Sequence, residues 1–202
     1  MRDQRFCQAS RSGKISHMTP QPLVSIIIRC SERDKLALTL ASIAQQEYPN
    51  IEVIIVGMTG GQAPEMPDLT WGRTLMLRTV ATDSPISRPL AAQAGLDECR
   101  GEFFCVLDEG DTLLAQHLST LVPIALSRME ALVVHSRANL LNADGSVRKV
   151  LGSPLNRVLL YYAPLISLQA CLIRNSVREL GCGFDPALLI AEDRDFLCQI
   201  AE

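Results

Sequence analysis

Two regimes of apolar spacing alternate along the chain. Leu23 to Ile28 (LVSIII), Ile51 to Val56 (IEVIIV) and Phe103 to Leu107 (FFCVL) are short runs rich in branched or bulky residues, the composition of strands buried on both faces. Leu36, Leu40 and Ile43 form one apolar helical face. The predicted helix begins at Ser31, which can cap the first turn with Asp34 three residues on, and ends at Tyr48, Pro49 and Asn50. Thr74 to Val80 reads as a short edge strand, and Ser87 with Pro89 opens a helix running to about Cys99.

Beyond Asp111, the apolar positions Leu118, Leu121, Val122 and Ala125 predict a helix from His117 to Met129, kinked at Pro123. A strand follows at Ala131 to His135. Asn142 to Gly145 (NADG) then forms a turn between Ala138 to Leu141 and Val147 to Val150, a small hairpin. A helix near Leu155 to Tyr162, a strand near Leu168 to Ile173, a short helix ended by Gly181 and a last helix bearing Phe196, Leu197 and Ile200 complete the chain. Strands alternating with helices predict an α/β fold with a mainly parallel sheet flanked by helices.

The run Phe103 to Leu107 stops abruptly at Asp108 and Glu109. A buried strand thus delivers carboxylates to its C-terminal edge, where open α/β sheets bind ligands and where carboxylates suit a divalent cation holding a phosphate. The stretch GMTGG after Val56 can cradle phosphate or form an ordinary tight turn. Glu192, Asp193 and Asp195 open the last helix, where the dipole alone favours acids.

Composition narrows the functions. With 202 residues and 48% hydrophobic content the chain can close one substantial core. A net charge of -3 with interspersed signs provides no basic stripe, which argues against nucleic acid as a partner. Seven cysteines without a CxxC pair, mostly in apolar segments, indicate a reducing, cytoplasmic setting. The three histidines lack metal-ligand spacing and read as structural or exposed. Residues 1–20 are polar, do not form a secretory signal and are expected to be a flexible tail before a single domain over 21–202. The charge-free stretch Val158 to Ile173 is too short and too interrupted for a transmembrane helix, which leaves peripheral membrane contact open.

Four blocks, VSIII, LALTLASIAQQEYPNIEVIIV, AAQAGLDECRGEFFCVLDEGDTLLAQHL and ACLIRNSVRELGCGFDPALLIAEDRDFLCQIA, resemble in order the N-terminal catalytic domain of family 2 glycosyltransferases. The resemblance spans roughly residues 22 to 201 and implies a GT-A type nucleotide-binding sandwich. It further implies inverting transfer of a sugar from a nucleotide-diphosphate donor to an acceptor hydroxyl, on a polysaccharide, a lipid-linked glycan or a similar acceptor. Cell-envelope polysaccharide synthesis at the inner face of the membrane is the setting that follows.

By that resemblance Asp108 matches the first acid of the DxD motif, and Asp108 with Asp111 would hold a divalent cation, Mg or Mn. Asp193 matches the catalytic Asp of the ED motif, with Glu192 as its orienting neighbour. Cys30, Ser31, Glu32, Gly57, Asp108 and Glu109 would line the donor. Several positions depart from the family. Gly110 replaces the second acid of DxD, so coordination would use Asp108 with Asp111, or Glu109, or fewer protein ligands. Arg29, Cys30, Ser31 and Glu32 stand where Pro-Thr-Tyr-Asn is usual, Gly57 and Met58 where an Asp meets the base, and Ala92 and Gln93 where Arg and Asn are common. The departures raise an alternative, a GT-A-like domain that binds nucleotide, glycan or protein without transferring sugar. Family members normally continue past the helix of Asp193, so acceptor-binding parts are expected outside this sequence.

Overall fold

The computed structural model describes residues 21–61, 75–152, 157–163 and 166–202. The expected tail over 1–20, and the starts of the elements predicted at Thr74 and Leu155, lie outside the described residues. The elements are β1 (Val24–Cys30), α1 (Arg33–Ala44), β2 (Ile51–Gly57), β3 (Met76–Val80), α2 (Arg88–Asp97), β4 (Phe103–Asp108), α3 (His117–Ser127), β5 (Val133–His135), β6 (Ala138–Leu141), β7 (Val147–Leu151), α4 (Arg157–Tyr162), β8 (Cys171–Arg174) and α5 (Glu192–Ala201).

Six strands form one sheet in the order β3-β2-β1-β4-β8-β5. β1, β2, β3 and β4 are parallel, whereas β8 runs antiparallel to both β4 and β5. The chain builds outward from β1 through β2 to β3, then returns to place β4 on the other side of β1. The crevice at the C-terminal ends of β1 and β4 is therefore the topological switch point. The predicted hairpin is β6 with β7, a separate two-stranded sheet. The strand expected from Leu168 begins instead with a 3-10 turn over Leu168–Ala170 and becomes extended at Cys171.

Side-chain alternation divides the core between the two faces of the sheet. Ile26, Ile28, Cys105 and Leu107 face α1 and α3, packing with Leu36, Leu40, Ile43, Leu118 and Leu121. Ile27, Phe104 and Val106 face α2 and α5, packing with Ala91, Leu96, Phe196 and Leu197. The same alternation puts the next odd residue of β1, Arg29, and the next even residue of β4, Asp108, on the α2/α5 face. The two are paired in the strand register.

At the opposite edge of the sheet Glu52 is buried among Ser25 Oγ (2.5 Å), the Arg100 amide (2.9 Å) and Arg78 Nη2 (2.9 Å). Burial pushes its carboxyl up, but these donors outweigh burial and hold it below the usual carboxylate range. The six described cysteines are all thiols. Burial raises Cys99 and Cys105 to about 12, so both are inert core groups at neutral pH. Among the described residues no helix is long and apolar enough to cross a membrane.

Candidate functional site

The switch point is organised around Arg29. This arginine is completely buried at the end of β1. Its Nε and Nη2 donate to the two oxygens of Asp108 at 2.7 and 3.1 Å, and its Nη1 and Nη2 donate to the two oxygens of Asp193 at 2.8 and 3.3 Å. Glu192 Oε1 lies 3.6 Å from Nη1. One guanidinium thus forks onto two carboxylates that are far apart in sequence. Burial opposes its charge, but the bond to Asp193 and the fields of Asp193 and Asp108 prevail and raise Arg29 above its ordinary pKa.

A second cation comes from the first turn of α2. Arg88 Nε donates to Glu192 Oε1 at 2.9 Å, and its Nη2 donates to Asp108 Oδ2 at 2.8 Å, leaving Nη1 outside this pair of bonds. A cation at a helix N-terminus opposes the dipole, so Arg88 depends on these acids. Ala92 lies one helical turn further along α2 and is buried.

α5 brings Glu192 and Asp193 to this point. Phe196, four residues after Glu192, stacks on Phe184 with ring centroids 4.2 Å apart and contacts Phe104 of β4 at 6.3 Å. These contacts anchor the first turn of the helix. Ala191, immediately before it, adopts a left-handed φ of 66°, which costs a residue with a side chain about 1–2 kcal/mol. Backbone strain of this kind concentrates at functional sites, and here it directs Glu192 and Asp193 toward the arginines.

The remaining predicted donor residues lie at the same sheet edge, where the Glu109 amide donates to the Arg29 carbonyl at 3.2 Å. Cys30 and Gly57 end β1 and β2 side by side, and the Met58 amide donates to the Cys30 carbonyl at 2.8 Å. Ser31 does not cap α1; its Oγ donates to Glu109 at 2.5 Å, and Glu32 takes the N-cap position while pairing with Lys35. The GMTGG loop is explained by packing. A Cβ on Gly60 would fall 2.6 Å from the backbone of Ser84, and the Gly61 amide bonds the Thr82 carbonyl. Gly110 has φ +95°, so the turn that ends β4 favours glycine at the position where the sequence resemblance leads one to expect a second acid.

A hard cation needs carboxylate oxygens with lone pairs to spare. Asp108 Oδ1 accepts from Arg29, and Oδ2 accepts from Arg29, Arg88 and, at 3.3 Å, Gln169 Nε2. Three donors crowd Oδ2, which has two lone pairs, and Oδ1 faces the Nε of the buried Arg29, so both oxygens are already turned to arginine. Asp111 turns back beneath the strand end, its Oδ2 accepting the Asp108 amide at 3.1 Å. Among the described residues no three His, Cys, Asp or Glu side chains group as a metal site. Asp108 and Asp111, expected to hold the cation, therefore do not present a donor set that fits one.

Burial pushes Asp111 above the usual carboxylate range, and the nearby charge of Asp108 adds to the shift. A carboxyl raised on folding favours the folded state below its unfolded pKa and loses that contribution as pH rises through the folded value. Asp111→Asn is accordingly expected to raise the melting temperature at pH 7 by on the order of a few degrees. The gain should vanish below about pH 4, near the unfolded pKa. Thermal melts across pH check this; a gain that persists at low pH would assign the effect to something other than charge.

Asp108 and Asp111 border a cavity of about 700 Å³ that is also lined by His117, Arg137 and Gln169. Burial lowers the pKa of His117, so its imidazole is neutral at pH 7. A groove of about 910 Å³ lies at the opposite edge of the sheet. Its charged lining is largely self-paired, as in Arg174 with Glu102 at 3.0 Å, and none of the predicted site residues reaches it. The smaller cavity is the one beside the chemistry.

No family model and no curated protein sequence matches the chain. Among solved structures it is similar to S. aureus TarS 1-349, at 16% identity and TM-score 0.65, covering 88% of this chain and 54% of that one. It is similar to the same TarS fragment in complex with UDP-GlcNAc, at 15% identity and TM-score 0.65, covering 88% and 52%. It is also similar to the mannosyltransferase PcManGT from Pyrobaculum calidifontis in complex with GDP-Man and Mn2+, at 16% identity and TM-score 0.59, covering 91% and 53%. The chain spans about half the length of each. At these identities the likeness is one of architecture: the chain has the mainly parallel, helix-flanked α/β fold of GT-A glycosyltransferases.

Proposed function

We propose that this chain is the donor-binding and catalytic domain of an inverting glycosyltransferase. The observation that carries the reading is the meeting of Asp108, Glu192 and Asp193 at the switch point of a GT-A sheet, beside a cavity large enough for a sugar. Asp193, at 24% side-chain exposure, is the base. The acceptor hydroxyl gives its proton to a carboxylate oxygen of Asp193, and the acceptor oxygen forms the new bond to the anomeric carbon. The bond from that carbon to the diphosphate breaks, and its electron pair leaves with the nucleoside diphosphate. Attack opposite the leaving group inverts the configuration.

Glu192 and Asp108 position Arg88, and Arg88, at 42% exposure, is the cation that meets the departing diphosphate. Cys30, Ser31, Glu32, Gly57 and Glu109 border the nucleoside side of the donor. The donor-bound TarS and mannosyltransferase structures support a nucleotide-sugar donor. A glycan or lipid-linked acceptor, family 2 membership and a cytoplasmic place in envelope polysaccharide synthesis belong to the same reading and rest on the sequence resemblance.

One observation favours the second reading, a GT-A-like domain that binds without transferring: Arg29 holds both oxygens of Asp193. Donor binding comes first in either case where the ligand is a nucleotide. In a thermal-shift panel of UDP-, GDP-, CDP- and dTDP-sugars, one donor is expected to raise the melting temperature with a saturating concentration dependence. A panel in which none does removes the transferase reading.

A further inference from the structure

Arg29 occupies the position that decides how this site handles charge. Its side chain is fully buried, it bonds both oxygens of Asp108 and both of Asp193, and it lies 3.6 Å from Glu192. Four of its five N–H groups are spent on the two aspartates. It cannot turn away without burying an unpaired cation or abandoning two carboxylates, either of which is costly in a closed site. Asp108 gains two further donors from Arg88 and Gln169. Gln169 is itself oriented by the Ser167 hydroxyl, which donates to its Oε1.

We propose that Arg29 permanently holds the place of a divalent cation in this site, so that Asp108 binds no metal and a nucleoside diphosphate is held without one, through Arg88. The two arginines have separate tasks. Arg29 is a positioning residue: it is fully buried, and four of its five N–H groups are taken by the two aspartates. Arg88 is partly exposed, with Nη1 outside its bonds to Asp108 and Glu192, so it can lend donors to a phosphate while its other nitrogens stay anchored. The sheet register makes the arrangement self-consistent. Arg29 faces Asp108 across one strand pair, on the face closed by the first turns of α2 and α5, which carry Arg88 and Asp193.

The Arg29 half stands on geometry alone; the Arg88 half rests on the nucleotide-binding reading above. The test keeps them apart by measuring metal and nucleotide separately. Electron paramagnetic resonance of MnCl2 without nucleotide is expected to show the full free-Mn2+ signal with wild-type protein. Arg29→Gln is expected to bind Mn2+, and adding Asp108→Asn to it is expected to abolish that binding. Wild-type protein that depletes the Mn2+ signal, with Asp108→Asn restoring it, overturns the proposal, and this arm decides even if Arg29→Gln does not fold.

In calorimetric titrations UDP or GDP is expected to bind with the same affinity in EDTA and in Mn2+. Arg88→Gln should weaken that binding about tenfold, the worth of one charge-assisted contact, and Arg88→Lys should recover part of it. Binding that appears only with Mn2+ overturns the proposal while leaving the nucleotide reading intact. Absence of binding in both conditions overturns the Arg88 half together with that reading.

Discussion

Replacing Arg29 by methionine is expected to destabilise the fold by about 3–5 kcal/mol, the cost of removing one partner from a buried ion-pair network. Methionine fills similar volume, so the loss measures charge rather than a cavity. Asp108 and Asp193 would each lose two charge-assisted hydrogen bonds and face one another across an apolar stem. Urea denaturation reads the change directly. Adding Asp108→Asn and Asp193→Asn to the methionine variant should recover part of the loss, because the unpaired charges go with the arginine. By contrast, removing the exposed, solvent-screened pair of Lys35 with Glu32 is expected to leave stability nearly unchanged. An Arg29→Met variant as stable as wild type would mean that the carboxylates are solvated and the fork is incidental.

Asp193→Asn is expected to lower turnover by about 10³-fold, within the range general bases supply, while donor affinity changes little. The carboxamide keeps the shape and can still accept from Arg29 through its oxygen, but it cannot take the acceptor proton. Steady-state kinetics should therefore show the loss in kcat with KM for the donor preserved. A parallel loss of donor affinity would place Asp193 in binding, and unchanged turnover would move the base elsewhere. Glu192 serves as the internal control. It touches Arg88 and approaches Arg29, so Glu192→Gln is expected to act on donor binding through Arg88.

Much of this architecture was legible in the sequence because it depends on local pattern. The branched runs at β1, β2 and β4, the helical spacing of α1 and the NADG turn of the hairpin each carry their own signal within a few residues. The antiparallel direction of β8 was not legible, since it is fixed by pairing with β4 and β5 across the sheet and not by anything between Cys171 and Arg174. Ser31 illustrates competition: its hydroxyl could cap α1, but Glu109 from the end of β4 captures it.

The site was half legible. Asp108 was marked by its place at a strand end, Glu192 and Asp193 stood out only through the family resemblance because a helix start alone favours acids, and Arg29 registered only as a departure from a usual proline. Its partners are Asp108 and Asp193, and no local rule connects positions so far apart. One signal was available. Arg29 extends the odd-numbered, buried face of β1 beyond Ile27, and a charge continuing a buried face requires opposite charges from the neighbouring elements. Arg88 left a weaker trace, a cation one helical turn before Ala92 on α2.

The stereochemistry of donor cleavage separates an inverting transferase from every other role for this site. With the nucleotide sugar that stabilises the protein, proton NMR can follow the first sugar released to water or to an acceptor, before mutarotation mixes the anomers. Nucleoside diphosphate is expected to be released with the product sugar in the anomeric configuration opposite to that of the donor, and that signal is expected to be lost in Asp193→Asn. Release with retained configuration, or donor binding with no cleavage above the buffer rate, would contradict inverting transfer.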